Sequence, residues 1–278
     1  MTRNQFWQTA FQRMYLLVTC CLLAGLIGAR PVLAEDANAN DSDVTVLTGG
    51  TLIDVTSGET IADAVVIIRG ERVEAVGPAG TLAMPANATI IPMEGRWLVP
   101  GLMNMHVHLG LKLPGAAGAA LVDETDVEEV LRMAANARRS LESGVTTLRL
   151  IGEDHGTDFA LKKAIDSGQI TGPRIETAGE VIVPTGGHGS LEADGPYALA
   201  AAAREQIKHG ATWIKIAISG GISDTHGAIS AAPMTDEEMK TLIEVAHRNN
   251  VKVTAHNGSS PAAKQSLAFG IDGFEHGY

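Results

Sequence analysis

The sequence predicts an α/β protein of the (β/α)8 barrel class, preceded by a small β unit. Beyond Pro100, short apolar runs alternate with Gly-rich loops and amphipathic helical stretches, which is the pattern of parallel strands joined by helical crossovers. In addition, four histidines close such runs and one lysine lies inside another. Catalytic groups of these barrels occupy the C-terminal ends of the strands, so the two observations agree. The alternation provides about six βα units.

Residues 1–34 have the features of a secretory signal peptide. Two arginines precede an apolar stretch at 14–29, and residues 32–34 have the small-residue pattern of a cleavage site. We therefore expect cleavage near Ala34 and a secreted or periplasmic protein. The weaker alternatives are an uncleaved membrane anchor, which needs ~20 apolar residues, and lipidation at Cys20.

The composition of the mature chain excludes several classes of partner. Without residues 1–34, 244 residues remain, with 18 basic against 32 acidic side chains and a net charge of −14. Nucleic acid and stable membrane association are therefore not expected. Both cysteines lie in the leader, so the mature chain forms no disulfide. The remaining length suits one large domain or a barrel with a satellite, and assembly into a homo-oligomer stays open.

The predicted elements follow in two groups. The β unit, assigned to residues 35–98, has strands at 44–47, 51–55, 64–68 and 73–76, with a turn at 69–71. The barrel, assigned to residues 99–278, has strands at 102–107, 145–150, 174–183, 212–218, 251–255 and 271–275, and helices at 124–142, 197–209 and 235–249. Thr235 and Glu238 form a capping box that predicts the start of the last helix.

Four histidines at strand ends are the candidate metal ligands. Alternation along the first barrel strand puts His106 and His108 on one face. Imidazole suits zinc and its first-row neighbours. The His-x-His pair alone is weak evidence, and His256 or His276 taken singly could be a hydrogen-bonded core histidine. Their recurrence at the ends of predicted strands 1, 5 and 6 is what indicates a metal site.

Lys215 is the fifth candidate. Parity within its strand puts Lys215 on the face opposite Ile214 and Ile216, which should meet the helices. A lone ammonium inside a barrel is costly, so Lys215 needs an acidic partner, loss of its proton, or conversion by carbon dioxide to a carbamate able to bridge two metals. The alternative is a lysine that snorkels to the barrel mouth. The four neighbouring histidines favour the carbamate.

Two Gly-rich loops, at 184–189 and 219–227, should overhang these strand ends. Glycines there allow the backbone to approach a ligand closely. We expect a histidine in each loop to contact the substrate carbonyl or its terminal carboxylate; the alternative is that both histidines are turn residues. The predicted substrate-binding residues are His188, His226, Gly187, Gly220 and Gly221.

Four segments together resemble the metal-dependent amidohydrolase superfamily: residues 100–109, 213–215, 254–256 and 275–277. The loop at 185–188 makes the chain similar to the branch that holds imidazolonepropionase-like enzymes, exported Xaa-Pro or Xaa-Arg dipeptidases and ochratoxin-type amidases. The resemblance implies a barrel with a small β-sandwich-like domain and two divalent metals, expected to be zinc. It assigns as ligands His106, His108, His256, His276 and a carboxylated Lys215, with His256 and His276 also at the catalytic centre.

The function implied by this resemblance is hydrolysis of an amide or peptide bond by a metal-bound hydroxide, with a dipeptide or N-acyl amino acid as the small-molecule substrate. The alternatives are a non-catalytic metal- or ligand-binding remnant and a cyclic-amide or lactone hydrolase. The chain departs from the family at Asn104, usually Asp, and at Leu150, commonly Asp. Family members continue through two more strands, the last bearing an aspartate ligand. We therefore expect the 278-residue chain by itself to be inactive and to belong to a longer enzyme.

Overall fold

A computed structural model describes residues 44–112, 115–221 and 228–277. Its contacts divide the chain into two compact units, with the boundary between Pro100 and Gly101. The predicted leader and His226 lie outside the described residues. Within those residues no helix is both long and apolar enough to cross a membrane.

The first unit contains a five-stranded sheet. Its strands are β1 (Val44–Ile53), β2 (Thr60–Arg69), β3 (Arg72–Pro78), β4 (Thr89–Pro92) and β5 (Trp97–Leu98). The order is β3-β2-β1-β4, and β5 pairs with β1. The first three strands are antiparallel, whereas β4 and β5 run parallel to β1. The two strands predicted at 44–47 and 51–55 are wrong, because β1 continues through a register shift at Gly50.

The second unit alternates strands and helices. Its strands are β6 (Leu102–Val107), β7 (Val145–Leu150), β8 (Arg174–Thr177), β9 (Ile182–Val183), β10 (Leu191–Glu192), β11 (Trp213–Ala217), β12 (Lys252–Asn257) and β13 (Gly273–His276). Its helices are α1 (Ala116–Ala119), α2 (Asp126–Glu142), α3 (Thr157–Asp166), α4 (Pro196–His209), α5 (Asp236–Arg248) and α6 (Ser260–Ala268). Every described strand pair in this unit is parallel. The predicted α/β class is therefore confirmed.

The strands of this unit form two described sheets, β6-β7-β8 and β10-β9-β11-β12-β13. The prediction of a single strand at 174–183 is wrong, because irregular backbone at residues 178–181 separates β8 from β9. Gly179 there has φ +67°, and its N–H donates to the carboxylate of Asp158. The Thr177 hydroxyl donates to the same carboxylate. These side-chain bonds replace the strand ladder and turn the backbone at this point.

Two long helices begin at capping boxes. Thr125 and Glu128 exchange side-chain and backbone hydrogen bonds at the start of α2. Thr235 and Glu238 do the same at the start of α5, as the sequence predicted. Both pairs satisfy N–H groups that a helix leaves without partners in its first turn.

One of the two core clusters of the second unit forms between β11 and the helices. Ile214 and Ile216 are fully buried and belong to one cluster with α4 and α5 residues, among them Leu199, Met239 and Leu242. Alternation along β11 therefore directs the isoleucines to the helices, as predicted. The same alternation directs Lys215 to the opposite side of the strand.

Candidate functional site

The register of three parallel strands sets the floor of the site. Ala217 on β11 pairs with His256 on β12, which pairs with Glu275 on β13. Paired residues of parallel strands share a face, and Lys215 lies two residues before Ala217. His256, Glu275 and Lys215 therefore point to one side of the sheet.

The predicted histidines of the described residues form one continuous row of rings. The ring centroids of His108 and His106 are 5.3 Å apart, and those of His106 and His276 are 4.8 Å apart. His276 is 4.8 Å from His256, which is 4.3 Å from His188. Side chains separated by up to 170 positions in the sequence thus meet at one place.

His276 reaches this row through an unusual backbone conformation. It pairs with Asn257, one position beyond the His256–Glu275 pair, so plain strand alternation would direct it to the helix side. However, its φ is +75°, in the left-handed region that a non-glycine residue rarely adopts. This turn at the end of β13 brings the ring beside His106 and His256. Strained conformations of this kind are concentrated at functional sites.

Hydrogen bonds fix which ring nitrogen carries the proton in the His-x-His pair. His106 Nδ1 lies 2.9 Å from Glu275 Oε2, and His108 Nδ1 lies 2.8 Å from the Gly152 carbonyl oxygen. Carboxylate and carbonyl oxygens only accept, so both rings donate from Nδ1. In the neutral rings Nε2 then keeps its lone pair, which is the form that binds a metal.

The electrostatics of the site favour the neutral form of three of the histidines. Burial, together with the positive charge of Lys215, lowers the pKa of His108. Burial and the neighbouring His188 lower the pKa of His256 to about 4. The pKa of His276 is also lowered, by burial and by His106. Metals bind imidazole in its neutral state, so these shifts suit a ligand set.

Lys215 lies beneath the rings, with only 3% of its surface exposed. Burial lowers its pKa to about 8, while the nearby carboxylate of Glu275 acts in the opposite direction. A buried amine with a pKa this close to neutrality has an accessible unprotonated form, which is the nucleophilic one.

Above the rings lies a cavity of about 640 Å3. Its lining includes all five of these histidines and a group of residues with several acids among them, namely Gly110, Lys112, Glu129, Glu153 and Asp154. His188 is thus placed at the cavity, whereas Gly187, Gly220 and Gly221 are not among its lining residues. The volume is in the range of sites that hold small molecules.

The predicted loop glycines pack against the protein itself. A side chain at Gly187 would meet Val183, and one at Gly221 would meet the His188 ring. The carbonyl oxygen of Gly220 lies 3.2 Å from His256 Nε2. These three glycines therefore serve the placement of loop and histidine side chains in the described structure.

Sequence reasoning missed two acidic residues and an arginine. Glu275 joins His106 to Arg149, whose guanidinium lies 2.5 Å from its second oxygen. Burial alone would raise the pKa of Glu275, but hydrogen bonds from His106 and Thr254 and the charge of Arg149 lower it to about 2. The available signal was the Glu-His pair itself, because an acid next to a ligand in an apolar strand needs a partner.

Glu153 is the second acid. Its carboxyl accepts from the backbone N–H groups of Leu109 and Gly110, at 2.5 and 2.9 Å, and so holds the segment that follows His108. Burial raises its pKa to about 8. Glu153 lies in a loop, two residues after Ile151, so no strand or helix periodicity in the sequence predicted that its side chain would be buried.

The donor set fits a metal centre in its chemistry. Among the described residues, no three His, Cys, Asp or Glu side chains already converge closely enough to hold an ion. Nevertheless, His106 and His108 each direct Nδ1 to an oxygen acceptor, the arrangement that orients ligating histidines. The lowered pKa values of His108 and His256 and the buried amine of Lys215 also suit metal ligands.

Residues 97–278 match the model of the amidohydrolase family. The chain belongs to this family. The resemblance seen in the sequence motifs is therefore confirmed, and the family covers the whole of the second unit.

Individual relatives agree with this assignment. Ochratoxinase from Aspergillus niger is 26% identical over 286 residues, covering 86% of this chain and 55% of the relative. A solved Xaa-Pro dipeptidase with bound methionine has a TM-score of 0.79 and 27% identity, over 84% of this chain and 61% of that one. A prolidase complexed with N-methylphosphonate-L-proline has a TM-score of 0.76 and 28% identity over similar shares. The chain thus spans about half to three fifths of the length of these relatives.

Proposed function

We propose that this protein is a metal-dependent hydrolase of amide bonds, acting on dipeptides or N-acyl amino acids. The observation that carries the proposal is the row of five histidine rings at one end of parallel strands, with His106 and His108 both protonated at Nδ1. Family membership and the dipeptidase and ochratoxinase relatives support amide substrates.

We assign His106, His108, His256, His276 and a carboxylated Lys215 as the residues that would hold two divalent ions, with zinc the expected metal. When bound, such ions lower the pKa of a water molecule towards ~7 and polarise the scissile carbonyl. His256 would bind through Nδ1, because its Nε2 lies 3.2 Å from the Gly220 carbonyl oxygen and donates to it.

The carbamate on Lys215 forms by addition of its amine to carbon dioxide. The unprotonated amine attacks the carbon of carbon dioxide, an N–C bond forms, one C=O electron pair moves to oxygen, and the nitrogen releases one proton to solvent water. Burial favours the unprotonated amine, as its pKa of about 8 indicates. The product is an anion with two oxygens, and zinc accepts such carboxylate-type oxygens as ligands beside imidazole nitrogens.

His188 is proposed to bind the substrate. It lines the cavity and its ring stands 4.3 Å from that of His256, so a carbonyl or carboxylate beside the histidine row is within its reach. Lys112 also lines the cavity and pairs with Glu129 at 3.3 Å and Glu124 at 3.5 Å, so it offsets part of the acidic charge there. The cavity as a whole therefore holds a small polar substrate.

Export to the periplasm or medium, with removal of residues 1–34, is likewise a proposal that rests on the leader pattern in the sequence. Determination of the N-terminal residue of the protein secreted by an expression host tests it. We expect the mature chain to begin at Glu35; retention of Met1 would contradict export by cleavage.

The decisive assay uses protein from the complete reading frame and a panel of dipeptides, including Xaa-Pro, together with N-acyl amino acids. We expect hydrolysis that disappears after treatment with a chelator and returns on addition of zinc. Hydrolysis unaffected by chelation would refute the metal mechanism. Zinc binding without hydrolysis of any member of the panel would favour the non-catalytic alternative.

His188→Ala tests the substrate residue in the same assay. We expect a lower kcat/KM with unchanged zinc content, because the ring faces the cavity without being assigned as a ligand. An unchanged kcat/KM for the best substrate would remove His188 from the site.

A further inference from the structure

We propose that Glu275 is a positioning residue that sets His106 in the metal-binding tautomer, with Arg149 and Thr254 locking its carboxylate in place. The inference rests on the proposed metal-dependent function and extends it to a residue outside the assigned ligand set. The carboxylate of Glu275 on β13 is buried and is contacted by side chains from β6, β7 and β12.

Both oxygens of Glu275 are engaged by donors from other strands. Oε2 lies 2.9 Å from His106 Nδ1 on β6. Oε1 accepts from Arg149 on β7 at 2.5 Å and from the Thr254 hydroxyl on β12 at 2.6 Å. Glu275 itself is 5% exposed. Three donors on two oxygens leave the carboxylate with one allowed orientation.

Arg149 is itself held firmly. Its Nε donates to the Met105 carbonyl at 2.7 Å, and its guanidinium carbon lies 4.5 Å above the centre of the Trp213 ring. A guanidinium that is hydrogen-bonded through Nε and stacked on an aromatic ring has little remaining freedom to lose when it pairs with a carboxylate. Met105 and Trp213 thus hold Arg149 in place, and Arg149 holds the carboxylate of Glu275. The carboxylate in turn orients the ring of His106.

The consequence for His106 follows from donor and acceptor rules. A carboxylate can only accept, so His106 carries a proton on Nδ1, and in the neutral ring Nε2 is then unprotonated. Histidines that bind metals are commonly oriented in this way by a carboxylate. His108 obtains the same tautomer from a backbone carbonyl, that of Gly152, which no side-chain substitution removes. A side-chain substitution can therefore change the tautomer of His106 but should leave that of His108 unchanged.

Glu275→Gln should reverse the tautomer. Arg149 and Thr254 both donate to Oε1, so the new amide oxygen is held on their side and the amide NH2 faces His106. Nδ1 must then accept, which moves the proton to Nε2 and blocks that nitrogen as a ligand. Changes in the partners that orient a ligating histidine typically lower metal affinity about 10- to 100-fold.

The chain offers a matched control in Asp272→Asn. Asp272 forms a carboxylate–histidine pair of the same kind with His247, at 2.8 Å, but this pair is on the outside of the unit and partly exposed. The control therefore removes one carboxylate next to one imidazole without touching the histidine row. It separates the proposed effect from a general loss of charge or of stability.

The experiment has two parts. First, long-range proton–nitrogen NMR correlations of the zinc-free protein report the tautomer of each histidine, with His106 assigned from His106→Gln. We expect Nδ1–H for His106 in the wild type; Nε2–H would overturn the inference whether or not any variant folds. This part does not depend on metal binding, so it distinguishes failure of the inference from failure of the proposed function.

Second, zinc alone is titrated against a chromophoric chelator. We expect the dissociation constant to rise about 10- to 100-fold in Glu275→Gln and to stay within about twofold of wild type in Asp272→Asn. We also expect His108 to keep its Nδ1–H signal in both variants. Wild-type zinc affinity in Glu275→Gln would overturn the inference, whereas absence of zinc binding in the wild type would overturn the proposed function instead.

Discussion

Gly221→Ala is expected to disable the site by moving one histidine. A β-carbon added at Gly221 would lie 2.6 Å from His188 Nε2, and two further ring atoms would be closer still. Ordinary contact between such atoms requires at least 3.4 Å. The ring must therefore shift by roughly 1 Å, since packed carbon atoms rest at about 3.5–4.0 Å.

The size of the effect follows from this shift. His188 stands 4.3 Å from His256 and lines the cavity, so its displacement changes how a substrate meets the histidine row. A misplacement of about 1 Å in a positioning group can lower the rate about 100-fold. We expect Gly221→Ala to lower kcat/KM for the best substrate by about that factor, with unchanged zinc content.

The assay is a double-mutant cycle with His188→Ala. If Gly221→Ala acts through the His188 ring, it should have little further effect once that ring is absent. Michaelis–Menten kinetics of the wild type, both single variants and the double variant measure this coupling. A full 100-fold loss from Gly221→Ala in the His188→Ala background would refute the steric explanation, and so would an unchanged kcat/KM in the single Gly221→Ala variant.

Three further predictions concern stability, each measured by urea unfolding of the metal-free protein. Lys215→Met should raise the free energy of unfolding at pH 7 by up to about 3 kcal/mol, because burial lowers the pKa of the amine from 10.5 to about 8; the same variant should lose bridged metal binding, and an unchanged stability would contradict the buried position. Asp158→Asn should gain stability relative to wild type as the pH rises from about 4 to about 7. Burial raises the pKa of Asp158 to about 7, so the folded wild type resists an ionisation that the unfolded chain undergoes near 3.8; a difference independent of pH would exclude this assignment. Thr235→Ala should cost about 1 kcal/mol through loss of the capping box of α5, and no loss would mean that the helix start is held by tertiary packing alone.

Strand parity carried most of the predictive information about the site. Alternation along β11 separates Lys215 from the core isoleucines, and the positions of His106, His108 and His256 at the ends of parallel strands bring their rings to the row. These features depend on a two-residue period and on parallel pairing, which apolar runs and loops reveal in the sequence.

Other features depend on contacts between distant segments and could not be predicted. The break at Gly179 arises from its hydrogen bond to Asp158, 21 positions earlier. The Arg149–Glu275 pair joins residues 126 positions apart. His276 approaches the row through a positive φ, which no periodic pattern encodes. Such features are selected by the assembled site rather than by local propensity.

The acidic side of the cavity gave no sequence signal for a similar reason. Glu153 lies in a loop, and its role appears only when its carboxyl meets the backbone N–H groups of Leu109 and Gly110. A charged loop residue is ordinarily solvated, so its burial could be recognised only in three dimensions.

The central claim is that the histidine row and Lys215 form one metal centre. A crystal structure of the zinc-loaded protein, with anomalous difference maps recorded on both sides of the zinc edge, tests it most directly. The account predicts two peaks about 3.5–4 Å apart, each about 2.0–2.1 Å from imidazole nitrogens, with Lys215 extended by a carboxyl group between them. Zinc bound elsewhere, or an unmodified Lys215 with no peak beside His106 and His256, would contradict the account.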